Sequence, residues 1–524
     1  MVTRHLAGWN GDMSVVRVGV GPVSFQDIIS VARDGASVEL GEDAVFAIGQ
    51  SRKAIEELAA APTPAYGIST GFGALATRHI PTEMRAQLQK SLVRSHAAGS
   101  GPEVEREVTR ALMLLRLSTL ATGHTGVRVQ TAQTMAGMLT HGITPIVYEY
   151  GSLGCSGDLA PLSHCALALI GEGPVYDSSG VRRPAADALR EAGLEPVEPE
   201  AKEGLALING TDGMLGMLVM AITDLRMLLR TADIAAAMSV ESQLGTDRVF
   251  AADLQALRPH PGQAASATNL RNILTDSGVV ASHRGPDCNR VQDAYSLRCA
   301  PQVHGAARDT VEHAASVAEH ELDSAVDNPV VLDDGRVESN GNFHGAPLGY
   351  VLDFLAIVAA DVASMSERRT DRFLDKTRSH GLPPFLAGDP GVDSGHMIAQ
   401  YTQAAIVSEL KRLAVPASVD SIPSSAMQED HVSMGWSAAR KLRRSIDGLT
   451  RVVAVEVLTA ARALDLRAPL QPSPATGAVL SLLRKTIDGP GPDRHLSPEI
   501  EEAVRLVHSG AVVDVVEAAI GELR

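Results

Sequence analysis

The chain has 524 residues, enough to fill one large core or two closely packed ones without a disulfide or metal staple. Hydrophobic residues make up 45% but aromatics only 3%, and Ala, Leu and Val dominate, which predicts a mainly α fold with a small mixed portion. A formal net charge of -16 argues against nucleic acid or an anionic membrane as partner, since either selects a basic face.

Four cysteines, Cys155, Cys165, Cys288 and Cys299, are too scattered for a disulfide framework or a CxxC zinc site. The N-terminal MVTRHLAGWNGDM lacks a signal-peptide layout, and no apolar run approaches the ~18 residues of a transmembrane span. A reducing, cytoplasmic setting is expected.

From about residue 15 to 60, Val-rich extended pieces mix with a helical stretch, and Tyr66-Gly-Ile-Ser-Thr-Gly-Phe-Gly73 then reads as a loop. Val104, Val108, Leu112 and Leu115 repeat at helical spacing with charged residues between them. A further helix near Ala132 to Leu139 stops at Gly142, with Pro145 beyond. Pro261 to Ser266 is expected to be a surface loop, as is Asp488 to Asp493. The segment after Pro347, LGYVLDFLAIVAADVASM, predicts a central buried helix, and a second long one follows His431, with Gly448 as its strongest breaker. Two long helices, apolar on most of their circumference, predict a bundle completed by other subunits. The expected division is 1–210 and 211–524.

The chemistry centres on Gly154-Cys155-Ser156-Gly157-Asp158, a tight-turn sequence with one hydroxyl that can be lost as water. Here the chain resembles the aromatic amino-acid ammonia-lyase family, whose members cyclise an X-Ser-Gly triplet into a 4-methylideneimidazol-5-one (MIO) ring. The resemblance implies that the Gly157 nitrogen attacks the Cys155 carbonyl and that Ser156 supplies the methylidene carbon, with Asp158 as a proton shuttle. Most members have Ala where this chain has Cys155; only the backbone of that residue enters the ring, and its thiol stands beside an electrophile. The resemblance further implies a long-helix bundle like that of the fumarase and aspartase lyases, a smaller mixed N-terminal portion (1–210) carrying the ring-forming loop and a lid, and a homotetramer whose sites each draw on three chains. It implies no metal and no external cofactor.

Four more stretches carry the resemblance. Tyr66 to Gly73 is similar to the family's mobile loop, which implies Tyr66 as the base. Leu205-Ala-Leu-Ile-Asn-Gly-Thr211 implies that Asn209 bonds ring or substrate. Val291 to His304 implies Gln292, Tyr295 and Arg298 in the site, Tyr295 assisting the amine and Arg298 gripping the carboxylate. Asp327-Asn-Pro329 and Asn340-Gly-Asn-Phe-His-Gly345 imply Asn328 near the carboxylate and Phe343 against the ring. Taken singly, each residue has a plainer use: Arg298 in a surface ion pair, the tyrosines at a core edge, Asn209 and Asn328 in turns, His96 as a helix cap. Five matches in the right order outweigh these.

Ser95-His96 resembles the histidine-specific branch of the family, and Glu429, in Ser424-Ser-Ala-Met-Gln-Glu-Asp-His431, stands where carbocycle-specific branches carry an amide. The resemblance implies L-histidine as substrate and trans-urocanate as product. The rival for Glu429 is a brace in the first turn of the helix near His431. Competing functions are a tyrosine or phenylalanine lyase or a 2,3-aminomutase of the same family, and, farther off, a silent helical scaffold.

Overall fold

The computed structural model describes residues 14–61, 67–70, 80–285, 288 and 291–524. Helices dominate it, and the strands, each of two to four residues, form four small sheets. In the first sheet Val15–Val18 runs parallel to Ser37–Leu40, and the short Phe25–Ile29 helix lies within the crossover. Its Ser24 and Asp27 form a reciprocal capping box, which satisfies donors that a helix start leaves open. The Val-rich pieces predicted before residue 60 are these strands, followed by the Glu42–Ala60 helix.

The predicted amphipathic helix is Arg106–Ala121, and every residue from Val108 to Ala121 is buried. Such complete burial includes two cations. Arg110 donates to the carbonyls of Val31 (2.8 Å) and Leu139 (3.1 Å), and Arg116 donates to those of Asn209 and Val326, so neither charge is left unsolvated. The next predicted helix is Val129–Thr140.

Three long helices form the scaffold: Asp212–Ser242, Ala346–Leu374 and Gly435–Asp465. The second is long and apolar enough to cross a bilayer, against the reading of the sequence, but 67% of its most apolar stretch is buried inside the protein. Full burial of each Leu, Val or Ile here is worth about 1.5–3 kcal/mol. Gly448 does not interrupt the third helix: a Cβ there would sit 2.8 Å from Leu410, so the glycine admits the Met397–Leu413 helix close by. Glu456, fully buried on the third helix, ties the scaffold together by accepting from Ser239, Ser366 and Arg369 of the other two.

One expectation fails outright. Pro261 to Ser266 opens the Pro261–Leu274 helix, because proline at the first helical position presets φ and lacks only a donor that would be unpaired there anyway. The stretch from Asp488 to Asp493 is a loop as predicted.

Ion pairs bind the N-terminal third to the scaffold. Arg33 pairs with Glu107 and Asp224 (both 2.7 Å), Arg443 with Glu105 and Glu107, and Arg440 with Glu105 and Glu149. Among the described residues one large buried apolar cluster runs from Val16 to Leu523, and a small one joins Ile55, Ile68 and Val331.

Candidate active site

The Gly154–Asp158 turn is tightly wound because three of its residues have left-handed backbones: Gly154 (φ +84), Ser156 (φ +50) and Gly157 (φ +82). Only Ser156 among them carries a Cβ, a strain that collects at functional sites. The turn is clamped on both sides. Asp158 N donates to the Gly210 carbonyl (2.8 Å) and Gly210 N to that of Ser156 (3.2 Å). The contact at Gly157 is so close that a Cβ there would lie 1.9 Å from the Gly210 oxygen. On the other flank a Cβ at Gly154 would meet Ser433 Oγ at 2.5 Å.

Asp158 ends the turn and begins the Leu159–Leu169 helix. Its carboxylate, fully buried, accepts from Met214 N (2.9 Å) and Ser152 Oγ (3.0 Å). Burial pushes the carboxyl up to about 7, helped by the Asp212 charge and opposed by those hydrogen bonds. A group with that affinity exchanges protons readily near neutral pH.

Asn209, buried, donates from Nδ2 to the carbonyls of Leu205 (3.3 Å) and Asn328 (3.1 Å). Asn328 Oδ1 accepts from Asn340 N (3.0 Å), joining the two polar loops predicted to adjoin the site. Below them Lys202 and Asp327 form an ion pair of 2.5 Å with both side chains fully buried. Phe343 is half-buried two residues before Gly345, whose Cβ would press on Met214, the residue whose amide holds Asp158.

On the opposite side, Cys155 Sγ lies 3.0 Å from Ser424 Oγ, which donates to Glu429 Oε2 at 3.0 Å. Helix formation begins only at Gly435, so Glu429 is outside the first turn and the helix-brace alternative falls. His96 is the last residue of the Arg85–His96 helix, where its Nδ1 lies 2.9 Å from the Leu92 carbonyl, so the capping use is real. A carbonyl only accepts, so Nδ1 carries the proton and Nε2 is left as an acceptor. Burial lowers the affinity of His96 for a second proton, against the pull of Glu429.

Gln292, Tyr295 and Arg298 lie elsewhere. Arg298 donates to Gln292 (2.9 Å) and stacks 4.7 Å above the Tyr295 ring, which is 71% exposed. Tyr295 is therefore no core-edge residue, and Arg298 makes its contacts with Gln292 and Tyr295 among the described residues. Arg369 holds their helix by donating to Ser296 O (3.3 Å) and pairs with Glu456, which accepts from Ser239. Met214 and Ser239 are twenty-five residues apart on one helix, or about 38 Å at 1.5 Å per residue. The Tyr295 group therefore occupies the far end of the scaffold from the turn of its own chain. Tyr66 lies outside the described residues.

The sequence reading missed Ser424, Asp212, Ser152 and the Lys202–Asp327 pair. Ser424 stood within a quoted motif, but nothing in its type or spacing revealed that it bridges two distant segments.

A profile of the aromatic amino acid lyase family matches residues 23–485. The chain belongs to this family. Among aromatic amino acid lyases and their relatives, a protein named histidine ammonia-lyase from Streptomyces avermitilis is 65% identical over 98% of this chain and 100% of its own. Another of that name from Gloeobacter violaceus is 47% identical over 96% and 97%. The solved tyrosine aminomutase of Streptomyces globisporus superimposes with a TM-score of 0.92 at 37% identity, covering 97% of this chain and 100% of that one. A histidine ammonia-lyase from Trypanosoma cruzi gives 0.89 at 38%, covering 97% and 96%.

Proposed function

We propose that this lyase is a histidine ammonia-lyase, converting L-histidine to trans-urocanate and ammonia. The observation that carries the reading is the contact of the Cys155–Gly157 turn, through Ser424, with Glu429, an anionic acceptor suited to an imidazole N–H. Full-length identity of 65% to a protein named for that activity supports it.

The turn fits an MIO ring formed from Cys155, Ser156 and Gly157. Gly157 already has the left-handed backbone and the missing Cβ that a compressed turn needs, and Ser156 presents its hydroxyl from a strained residue. Once formed, the ring supplies an electrophile that converts the amine into a better leaving group. Asp158 exchanges protons beside it, and Asn209 presents an amide to ring or substrate. Glu429 accepts from the imidazole N–H, His96 borders the imidazole, Phe343 packs against the ring, and Asn328 borders the carboxylate. Tyr66 removes the β-hydrogen, Tyr295 assists the amine, and Gln292 and Arg298 bind the carboxylate with the planar fork that arginine offers.

Because the Tyr295 group and the turn are held near opposite ends of the Asp212–Ser242 helix, at residues about 38 Å apart along it, the complete site takes Tyr295 from another copy. The family resemblance supports a homotetramer with shared sites as that assembly. Exposed Tyr350, Phe354 and Ile357 form a stripe on the Ala346–Leu374 helix that such an assembly covers. In this arrangement residues 1–210 contribute the turn and lid loop and 211–524 the bundle.

Incubating the purified full chain with L-histidine, and separately with tyrosine and phenylalanine, while following product absorbance tests the proposal. Urocanate from histidine is expected. A β-amino acid or coumarate from tyrosine with no urocanate would assign the chain to the aminomutase or tyrosine-lyase reaction instead, the reading favoured by its structural likeness to tyrosine aminomutase.

A further inference from the structure

Ser424 and Glu429 are held face to face by a backbone under strain. Ser424 N donates to the Glu429 carbonyl (3.0 Å) and Glu429 N to that of Ser424 (3.3 Å). The short turn between them contains three consecutive non-glycine residues with left-handed backbones, Ser425 (φ +50), Ala426 (φ +52) and Met427 (φ +68). Such conformations persist only where surrounding structure imposes them, and they collect at functional sites. This turn fixes the two side chains so that Ser424 Oγ donates to Glu429 Oε2 at 3.0 Å.

The direction of the remaining bond follows from proton counting. An ionised carboxylate only accepts, so the single Ser424 proton is committed to Glu429 and its lone pairs face Cys155 Sγ, 3.0 Å away. With that proton committed to Glu429, the thiol is left as the donor to the Ser424 oxygen. Burial, with the hydrogen bond and charge of Glu429 behind it, favours the protonated thiol, and the hydrogen bond with Ser424 opposes them. A protonated thiol is a poor nucleophile, which suits a residue beside an electrophile.

We propose that Ser424 is a positioning residue that aims the Glu429 carboxylate at the substrate ring, and that the Cys155 thiol, as donor to Ser424, extends this chain back to the ring-forming turn. The proposal rests on the reading of Glu429 as the partner of the substrate imidazole. It gives the first residue of the triplet a side-chain role in addition to its backbone one.

Two measurements test it. Steady-state urocanate formation is compared for wild type, Ser424→Ala, Ser424→Thr, Glu429→Gln and the Ser424→Ala/Glu429→Gln double variant, with intact mass confirming ring formation in each. Ser424→Ala should lower kcat/KM by about ten- to a hundredfold, the effect of one hydrogen bond to a charged group. Ser424→Thr, which keeps the hydroxyl, should restore most of it. In the Glu429→Gln background the same alanine change should cost less than about threefold, because residues acting through one another are not additive. An equal loss in both backgrounds overturns the positioning role, as does full activity in Ser424→Ala.

The second measurement needs no turnover, so it stands even if histidine is not the substrate. In a Ser156→Ala background, where the ring cannot form, the alkylation rate of Cys155 is read by peptide mass with and without Ser424→Ala. Loss of the acceptor of its S–H should speed alkylation at least about threefold, since the protonated thiol loses its stabilising partner. A slower or unchanged rate would mean that Ser424 donates to sulfur instead, and the chain as drawn would be wrong.

Discussion

At Gly157 there is room for no side chain: the backbone is left-handed and the position of a Cβ lies 1.9 Å from the Gly210 oxygen. Gly157→Ala must displace one strand of the clamp, at a cost of about 1–2 kcal/mol for the backbone alone. The expected result is a folded protein with no urocanate formation and an intact mass equal to its sequence mass; wild type should be lighter by two waters, about 36 Da. An unmodified mass in active wild type would exclude the ring. Asp158 offers a different test. Its carboxyl, raised to about 7, keeps in the folded state a proton that the unfolded chain releases near the ordinary value of 3.8. Between those two values the folded protein binds more protons than the unfolded one, so the group makes stability fall as pH rises from about 4 to 7, after which its effect is level. Asn is neutral and can accept from Met214 N while donating to Ser152. Relative to wild type, Asp158→Asn should therefore gain melting temperature progressively from about pH 4 to 7 and no further above it; parallel curves would show that the carboxyl is not perturbed. The tight turn itself was legible because glycine and serine are restricted in what they can build. Ser424 was not, because a hydroxyl's use depends on which distant segment faces it.

Glu456 shows how the scaffold helices govern site residues far from the turn. Its carboxylate, with no exposed surface, neutralises Arg369 and accepts from Ser239 and Ser366, while Arg369 also holds the carbonyl of Ser296 beside Tyr295. Glu456→Ala leaves a buried guanidinium without a counter-charge, which costs about 3–5 kcal/mol. A clear fall in melting temperature is expected, with loss of activity even in protein that remains assembled, because the Tyr295–Arg298 helix loses its brace. A variant with unaltered stability would show that water or another group solvates Arg369. The long helices themselves were readable from periodicity: the segments after Pro347 and His431 became Ala346–Leu374 and Gly435–Asp465. Pro261 to Ser266 was misread because its small and polar residues suit both loops and a helix start, and Pro261 belongs to the second case. Gly448 looked like a breaker since sequence cannot show that Leu410 presses against it.

For the whole molecule, the scaffold separates groups that the proposed reaction needs together. The turn, Asp158, Asn209 and Glu429 gather at the end of the bundle where Met214 lies, and Gln292, Tyr295 and Arg298 at the end near Ser239. A helix is too stiff to bring its two ends together, so an active monomer is not possible if both groups act on one substrate. Under the proposed assembly, antiparallel packing of copies would set one chain's turn beside another chain's Tyr295. The exposed stripe of Tyr350, Phe354 and Ile357, with Ile398 and Tyr401 on the Met397–Leu413 helix, supplies apolar surface for such packing. Light scattering should give about four times the 55.0 kDa chain. The stricter test is complementation. Tyr66→Phe and Arg298→Ala are each expected to be inactive alone. If one site takes Tyr66 and Arg298 from different chains, random co-assembly of equal amounts restores both residues in about a quarter of the sites. Mixed tetramers formed by co-expression should therefore regain up to about a quarter of wild-type activity per site, whereas tetramers mixed without subunit exchange should regain none. If both residues came from one chain, no mixture would recover activity, and a stable, fully active monomer would refute the shared site altogether.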